Sequence, residues 1–512
     1  MNILIGKDAL DLKAFEQVVL HKAKVEIAPE AIERVEKSFK FLKDFTAEKI
    51  IYGINTGFGP MAQYRIDDAD LKQLQYNLIR SHAAGSGHII DEIYIRAAIL
   101  ARMNTLLLGY SGIHVEVVEQ LARFLNLEIY PIIPEHGGVG ASGDLVQLAH
   151  IALGLIGEGE AIYKGKRQPM ADIFAKENLT PIGIHIREGL ALINGTSTMT
   201  GIGLVNLINA RNLYGWGIYS SAMLNQIVES YDDHISSALN GVKKHKGQNE
   251  TAAHMRELLS DSKLLQKREE KLFNGTNSEK VFSEKVQEYY SLRCVPQILG
   301  PVLETIEKSE EILIGEINSV NDNPIIDAEA QNVFHGGNFH GDYVSFEMDK
   351  LKMATTKLSM LMERQLNFLL NDKINEKLPP FVNLGVLGLN MGVQGMQFTA
   401  TSTVAENQML SNSMYVHSIP NNNDNQDVVS MGANSALIAE KVIKNSFEVM
   451  AVHMIAIIQA VDYLKFDDKL SSKTKSTFLE LRKVVPRFEQ DGIGYTDIQK
   501  MRDFIYNHHI AI

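Results

Sequence analysis

Residues 138–144 read Gly138-Val139-Gly140-Ala141-Ser142-Gly143-Asp144, with three small residues side by side at their centre. Gly143 has no Cβ, so its amide nitrogen can approach the Ala141 carbonyl carbon without a steric clash. Ring closure there, with loss of one water and then of the Ser142 hydroxyl as a second, would give a 4-methylideneimidazol-5-one (MIO). This stretch therefore predicts an electrophile that no ordinary side chain supplies.

The same stretch has two other interpretations. Its glycines at 138, 140 and 143 match the dinucleotide-binding fingerprint, and Glu158 or Glu160 follows at the distance expected for a ribose-binding acid. That fingerprint needs a preceding β-strand, and Pro131 and Pro134 argue against a central strand there. The third interpretation is a plain glycine-rich turn that leads into a helix. The rest of the chain must decide between them.

Helical periodicity dominates the sequence. Apolar residues recur at helical spacing after Asp144, which predicts a helix whose positive end points at the tripeptide. A second pattern runs from about residue 344 to 370 without Gly or Pro, and a third covers 450–461. We predict a mainly α fold, with a long-helix bundle core in a domain of residues 206–512. A smaller, more irregular α-rich domain, residues 1–205, would carry the tripeptide.

Composition excludes several classes of protein. The 512 residues are 45% hydrophobic and 22% charged with a net charge of −12, which indicates a folded protein and gives no reason to expect nucleic-acid binding. The single cysteine, Cys294, excludes an intrachain disulfide and fits a reducing cytoplasm, where we expect the protein. The most apolar late stretch, 449–461, is shorter than the ~20 residues that span a bilayer, so we expect no membrane segment.

Six motifs occur in order along the chain: Tyr52–Gly59, Gly140–Asp144, Asn194–Thr196, Gln287–Arg293, Gly336–Gly341 and Asn425–Ser430. On these motifs the chain resembles the aromatic amino acid ammonia-lyase family from about residue 52 to 463. The resemblance implies an ammonia-lyase/fumarase-like fold, an MIO, and the elimination of ammonia from an aromatic L-amino acid. It also implies several helices that converge on the MIO, and a homotetramer whose active sites are shared between subunits.

The resemblance also implies roles for individual residues. Tyr52 matches the catalytic base, and Asn194 the residue that contacts the ring oxygen. Arg293 is suited to hold the substrate carboxylate, and spacing on a helix would put Gln287 and Tyr290 near the same face. The expected catalytic residues are Tyr52, Ala141, Ser142, Gly143, Asn194, Tyr290 and Arg293. Gln287 is expected to bind the substrate. Further residues expected at the substrate are Gly59, Phe339, Asn422 and Asn425.

Three residues bear on which aromatic substrate is used. Ser81 and His82 form the pair typical of histidine lyases, whereas many tyrosine lyases carry His-Leu. Gln426 stands where histidine lyases carry a glutamate, and 422–427 looks like the tyrosine and phenylalanine lyase pattern. We favour conversion of L-tyrosine to p-coumarate and ammonia, as in bacterial tyrosine ammonia-lyases. Histidine ammonia-lyase activity and an aromatic 2,3-aminomutase reaction are the alternatives.

Two alternatives belong to other classes of protein. An NAD-binding oxidoreductase would need a parallel sheet, for which the helical periodicity leaves little room, and a non-catalytic helical scaffold would need all six motifs to be relics. His335, His340 and Asp342 are close in sequence, but the chain has no His-Glu-x-x-His pattern. We expect no metal.

Overall fold

The computed structural model describes residues 2–47, 49–273, 280–282 and 284–510. Its strands are short. They are β1 Asn2–Ile5, β2 Lys24–Ile27, β3 Ser86–Ile89, β4 Ile129–Pro131, β5 Pro134–His136, β6 Glu160–Tyr163, β7 Lys166–Pro169, β8 Ile325–Asp327 and β9 Asn332–Phe334.

Helices make up most of the described chain, with a bundle of long ones. They are α1 Leu12–Val19, α2 Pro29–Phe45, α3 Leu71–His82, α4 Glu92–Leu107, α5 Glu116–Leu127, α6 Leu145–Leu155, α7 Met170–Glu177, α8 Glu188–Ile193, α9 Ser197–Ile227, α10 Ser237–Gly241, α11 Lys246–Leu258, α12 Arg268–Lys271, α13 Tyr290–Arg293, α14 Val295–Ile317, α15 Asp342–Leu370, α16 Asp372–Asn375, α17 Gln394–Leu410, α18 Gly432–Leu464, α19 Ser472–Val484 and α20 Gly494–Asn507. Short 3₁₀ helices cover Gly59–Met61, Asp232–Ile235 and Pro380–Val382.

The helical predictions are confirmed. Helix α6 follows Asp144, and α15 covers the pattern predicted over 344–370. The third pattern lies within α18, where Met450, Met454 and Val461 are fully buried. Removing such side chains from water stabilises a helical core by about 1.5–3 kcal/mol each.

The stretch around Pro131 and Pro134 contains two short strands, β4 and β5. The prolines argue only against a central strand of a sheet, and neither strand is central. Strand β4 ends at Pro131 and pairs with β6 alone, in the order β4-β6-β7, while β5 begins at Pro134 and pairs antiparallel with β3. Proline is tolerated at such strand ends and edges because no ladder donor is lost there. The glycine-rich stretch therefore does not follow a strand of a parallel sheet, which removes the dinucleotide-binding interpretation.

The chain forms two compact units. One contains residues 1–206, 309–349 and 413–439, and the other contains 207–308, 350–412 and 440–512. Unlike the two predicted domains, each unit is built from three separate stretches. The division into domains 1–205 and 206–512 stays a prediction.

An apolar cluster in the first unit anchors the segment that carries Tyr52. Leu42, Ile51, Ile54 and Ile326 pack together, and each is at least 98% buried. Two of them flank Tyr52 in sequence, so hydrophobic burial fixes the backbone on both sides of this tyrosine.

One described helix, α18, is long and apolar enough to cross a membrane by length and composition. Within it, 78% of the most apolar stretch is buried inside the protein, as in the core helix of a bundle.

Candidate active site

The predicted ring-forming tripeptide lies where helices begin. Helix α6 starts at Leu145, directly after it. The Asp144 carboxylate accepts hydrogen bonds from the Thr198 and Met199 amides, at 2.8 and 2.9 Å, in the first turn of α9. Two helix N-termini, with their partial positive charge, thus flank the tripeptide.

Two further helices start beside the same residues. The Gly341 amide, just before α15, donates to the Gly140 carbonyl at 3.1 Å, and the Met431 amide, just before α18, donates to the Val139 carbonyl at 3.0 Å. The Ser430 hydroxyl also donates to the Gly140 carbonyl, at 3.0 Å. Four N-termini therefore meet here, and their dipoles make the site electron-poor. This confirms the expected convergence, of which the sequence supported only α6.

Gly143 must be glycine at this place. Its φ is +73°, in the left-handed region, and a Cβ would overlap the Gly195 carbonyl oxygen. That carbonyl accepts a hydrogen bond from the Asp144 amide at 2.7 Å. The segment that carries Asn194 is thereby held directly against the tripeptide.

Two side-chain amides bind the two oxygens of Ser142. Asn194 Nδ2 donates to the Ser142 carbonyl at 3.0 Å, and Gln426 Nε2 donates to the Ser142 hydroxyl at 2.9 Å. Asn194 is 4% exposed, so its bond forms away from water, where it is electrostatically stronger. The structure therefore brings together three predicted site residues from three distant motifs.

Asp144 is fully buried, and burial raises its pKa to about 7. The Met199 and Thr198 amides and the Arg102 guanidinium act in the opposite direction. The unfolded chain, with a carboxyl pKa near 3.8, releases this proton more easily. The stabilisation from protonated Asp144 is thus complete below about pH 4 and is lost as the pH rises through 7.

We expect Asp144→Asn to show this directly. Asparagine keeps an acceptor for the two amides but does not titrate, so the wild type should lose stability relative to the variant, by about 2–3 degrees in Tm, between about pH 5 and pH 8. Thermal unfolding of both proteins at both pH values measures the difference. The exposed control Asp67→Asn should show no such change, and parallel curves for wild type and Asp144→Asn would contradict the assignment.

The Tyr52 loop is tied to the same unit by a buried glutamine. Gln75 donates to the Gly53 carbonyl and accepts from the Leu190 amide, both at 2.9 Å, and Leu190 precedes Asn194 by one helical turn. Gln75 lies on the buried face of helix α3 and belongs to no motif, so nothing in the sequence marks it as part of the site.

Tyr52 is half-buried, and its hydroxyl oxygen accepts a hydrogen bond from the Gly59 amide at 3.1 Å. Gly59 in turn packs against the Asn422 side chain, and a Cβ there would lie 2.8 Å from the Asn422 amide nitrogen. The Asn425 amide donates to the Asn422 carbonyl at 3.2 Å, within the turn that leads to Gln426. The predicted base and these three predicted substrate residues are therefore neighbours.

His82 is the last residue of α3, and its hydrogen bonds define its tautomer. Nδ1 lies 2.9 Å from the Leu78 carbonyl oxygen, which can only accept, so Nδ1 carries the proton and Nε2 the lone pair. The Ser81 hydroxyl lies 3.1 Å from the same Nδ1. Burial lowers the pKa of His82, which favours the neutral ring.

Phe339 is half-buried, two residues before Gly341, so its loop reaches the tripeptide through the Gly341–Gly140 bond. His340 Nε2 lies 3.2 Å from the Val428 carbonyl. The Gly341–Gly140 bond places the loop beside the residue that precedes the tripeptide.

The second unit holds the remaining predicted residues, and one expectation about them is wrong. Helix α13 spans only Tyr290–Arg293, because Tyr289 before it is extended (φ −60°, ψ 155°), so Gln287 shares no helix face with the other two. The Arg293 guanidinium lies over the Tyr290 ring, 4.7 Å from its centroid, and its Nε donates to the Glu288 carbonyl at 2.9 Å. Arg293 and Tyr290 thus form a cation–π pair.

Comparison with known proteins decides the family. The sequence profile described as aromatic amino acid lyase matches residues 10–483. The chain belongs to this family. It is an enzyme of the ammonia-lyase family, a carbon–nitrogen lyase, so the alternatives of an oxidoreductase and of a non-catalytic scaffold fall away.

The relatives of this aromatic amino acid lyase differ among themselves in the substrate that their names give. It is 38% identical to the histidine ammonia-lyase of Geobacillus sp. (strain WCH70), over 98% of this chain and 95% of the relative. It is also 38% identical to the MIO-dependent tyrosine 2,3-aminomutase of Streptomyces globisporus, over 98% and 94%. The crystal structure of tyrosine aminomutase from that organism has a TM-score of 0.94 and 36% identity, covering 99% of this chain and 97% of that one.

Proposed function

We propose that this lyase converts L-tyrosine to p-coumarate and ammonia, with an MIO formed from Ala141, Ser142 and Gly143. One observation carries the lyase chemistry of this proposal: a buried amide, Asn194 Nδ2, donates to the Ser142 carbonyl at the point where four helices begin. This carbonyl becomes the ring carbonyl when the tripeptide cyclises. The site is therefore built to accept negative charge at that oxygen.

The residues present fit the ring. Gly143 has the bare Cα that cyclisation needs, and Ala141 is only 5% exposed, which shields the reacting carbonyl from water. The name of the Streptomyces globisporus relative includes MIO dependence, which supports the same assignment. The ring, once formed, supplies an electrophilic methylidene carbon derived from Ser142 Cβ. Asn194 and the helix N-termini would increase its electron deficiency.

Tyr52 is the proposed base for the substrate β-proton. Its hydroxyl oxygen accepts from the Gly59 amide at 3.1 Å, and a backbone N–H at this position is suited to a phenolate oxygen. The apolar cluster of Leu42, Ile51, Ile54 and Ile326 holds the backbone around Tyr52, so the base is positioned before substrate arrives.

Arg293 is the proposed partner of the substrate carboxylate. Its guanidinium presents a planar pair of donors that matches the two carboxylate oxygens, and its contacts with the Tyr290 ring and the Glu288 carbonyl restrict its position. By family resemblance, Gln287 completes this part of the site, and the enzyme works as a homotetramer with shared active sites. The cytoplasmic location that we propose rests on the lone cysteine, which fits a reducing compartment.

The preference for tyrosine rests on His82 and Gln426. With its proton on Nδ1, His82 offers the Nε2 lone pair to a donor, and a substrate phenol is such a donor. Gln426 lies beside the Ser142 hydroxyl as a neutral amide, so it provides no negative charge for an imidazolium. A pocket that offers an acceptor to a phenol disfavours phenylalanine, which leaves that acceptor unpaired.

Two other outcomes have specific support. The Ser81-His82 pair and the relatives named histidine ammonia-lyase favour histidine as substrate. Relatives named tyrosine 2,3-aminomutase favour re-addition of ammonia at the β-carbon.

A product assay distinguishes these reactions. Purified enzyme is incubated separately with L-tyrosine, L-histidine and L-phenylalanine, and p-coumarate, urocanate, cinnamate and β-amino acids are quantified. We expect the highest kcat/KM for tyrosine, with p-coumarate and ammonia as the main products. Urocanate formed faster at equal substrate would refute tyrosine, and β-tyrosine as the main product would identify an aminomutase.

Substitutions at two positions should move the preference in opposite directions. Gln426→Glu places a carboxylate beside Ser142, so tyrosine efficiency should fall by at least about tenfold while any histidine activity rises. His82→Leu removes the acceptor for the phenol and should shift the tyrosine-to-phenylalanine ratio toward phenylalanine by about 10–100-fold.

Steady-state kinetics with all three substrates measures both effects. Gln499→Glu, which adds the same charge on the exposed face of α20, is the matched control and should leave the ratios unchanged. Unchanged ratios in both His82→Leu and Gln426→Glu would show that other residues set specificity.

A further inference from the structure

We propose a divalent transition-metal site at His114, Glu116 and His185, apart from the tripeptide and its contacts. One ligand atom from each residue lies within 4.8 Å of the other two. Two imidazoles with one carboxylate form a donor set that zinc, cobalt and nickel share. All three residues belong to the first compact unit.

The distances suit a metal ion after small rotations. His185 Nε2 is 3.1 Å from one Glu116 oxygen, and His114 Nδ1 is 3.7 Å from the other. Tetrahedral bonds of about 2.1 Å place ligand atoms about 3.4 Å apart, between these two values. The two imidazole rings lie alongside each other, with centroids 4.3 Å apart and planes at 32°.

A buried carboxylate holds the two backbone segments in place. Glu188, fully buried at the start of α8, accepts from the His114 amide at 3.1 Å through one oxygen. Its other oxygen accepts from the His185 and Ile186 amides, both at 2.8 Å. The same carboxylate therefore fixes the backbone of both histidine-bearing segments.

Two more contacts restrict the side chains themselves. The Phe39 ring meets both imidazoles edge-on, with centroids 5.3 and 5.8 Å away. Glu116 also accepts a hydrogen bond from the Gly183 amide at 2.8 Å, which orients its carboxylate. These contacts hold the three side chains close together, and a metal ion would replace the long contact, 3.4 Å, that His114 Nδ1 accepts from the Glu116 amide.

The site is open on one side. The three side chains retain 34–36% of their exposure, so water or another ligand can complete the coordination. A bound ion would join the start of α5 to the segment before α8, which leads to Asn194. We assign it a stabilising role.

The expectation of no metal rested on His335, His340 and Asp342. Sequence spacing does not reveal the set of His114, Glu116 and His185, because 69 positions separate Glu116 from His185.

Titration of the full-length protein tests the proposal. Protein stripped with a chelator and dialysed is titrated near neutral pH with ZnCl₂ by calorimetry and with CoCl₂ by visible absorption. We expect one site per chain that binds at least about tenfold more tightly than the remaining surface histidines, and a Tm raised by Zn²⁺. The double variant His114→Ala/His185→Ala should lose this site and the Tm increase, while lyase activity without added metal is retained.

Two variants separate metal binding from general surface effects. Glu116→Gln keeps an acceptor for Gly183 but removes the charge, and it should weaken binding by at least about tenfold even if the double variant folds poorly. His508→Ala removes a histidine of similar exposure (39%) paired with a single glutamate, Glu480, and should bind like the wild type. The proposal would be overturned if Glu116→Gln bound Zn²⁺ and Co²⁺ as tightly as the wild type. It would also be overturned if His508→Ala lost as much metal affinity as Glu116→Gln.

Discussion

Ser142→Ala is expected to leave the protein folded while lowering lyase activity at least about a thousandfold. The methylidene carbon derives from Ser142 Cβ through loss of its hydroxyl, and alanine has no hydroxyl to lose. The substitution removes one acceptor for Gln426 Nε2 but keeps the Ser142 backbone carbonyl, to which Asn194 donates. The contacts that hold the backbone are therefore retained.

Ammonia release from tyrosine and far-UV circular dichroism measure the two expectations on the same preparation. Ser220→Ala is the control for losing a serine hydroxyl elsewhere in the fold, because the hydroxyl of this buried serine donates within α9 to the Gly217 carbonyl. It should keep near-wild-type turnover. Substantial activity in Ser142→Ala would rule out this tripeptide as the source of the electrophile.

Tyr52→Phe should lower kcat by about 10²–10⁴ while substrate still binds. The change removes only the hydroxyl that accepts from the Gly59 amide. Ile51 and Ile54, on either side, remain in the apolar cluster, so the loop should keep its position. Steady-state kinetics and calorimetric titration with p-coumarate separate the loss of chemistry from the loss of binding.

Tyr64→Phe makes the same chemical change on an exposed tyrosine nearby in sequence and should leave kcat unchanged. Turnover near the wild-type value in Tyr52→Phe would mean that another group removes the proton. A parallel loss of p-coumarate binding would instead assign Tyr52 a positioning role.

Local features of the site could be predicted from sequence. The bare Cα needed at Gly143 follows from the ring chemistry, and helix α6 follows from the spacing of its apolar residues. The place of Gln426 beside Ser142 could not be derived in the same way. It depends on a contact across 284 positions, which only the family resemblance suggested.

Features that depend on distant contacts escaped prediction. The starts of α15 and α18 meet the tripeptide through the Gly341 and Met431 amides, and no periodicity in the sequence links these positions to Gly140 or Val139. The spacing of Gln287, Tyr290 and Arg293 predicts one helix face. Spacing alone cannot show that Tyr289 is extended and that the helix begins only at Tyr290.

Charge states escaped prediction for the same reason. The raised pKa of Asp144 comes from complete burial, and its bonds to the Thr198 and Met199 amides form only once α9 lies beside the tripeptide. The tautomer of His82 with the proton on Nδ1 depends on its position at the end of α3, where Nδ1 can donate to the Leu78 carbonyl.

Peptide mass spectrometry of the purified wild-type enzyme tests most directly whether the electrophile forms. The peptide that contains Ala141-Ser142-Gly143 should be lighter than its sequence mass by two molecules of water, and the same peptide from Ser142→Ala should lack the methylidene. A fully unmodified tripeptide in protein that still releases ammonia from an aromatic amino acid would contradict the MIO.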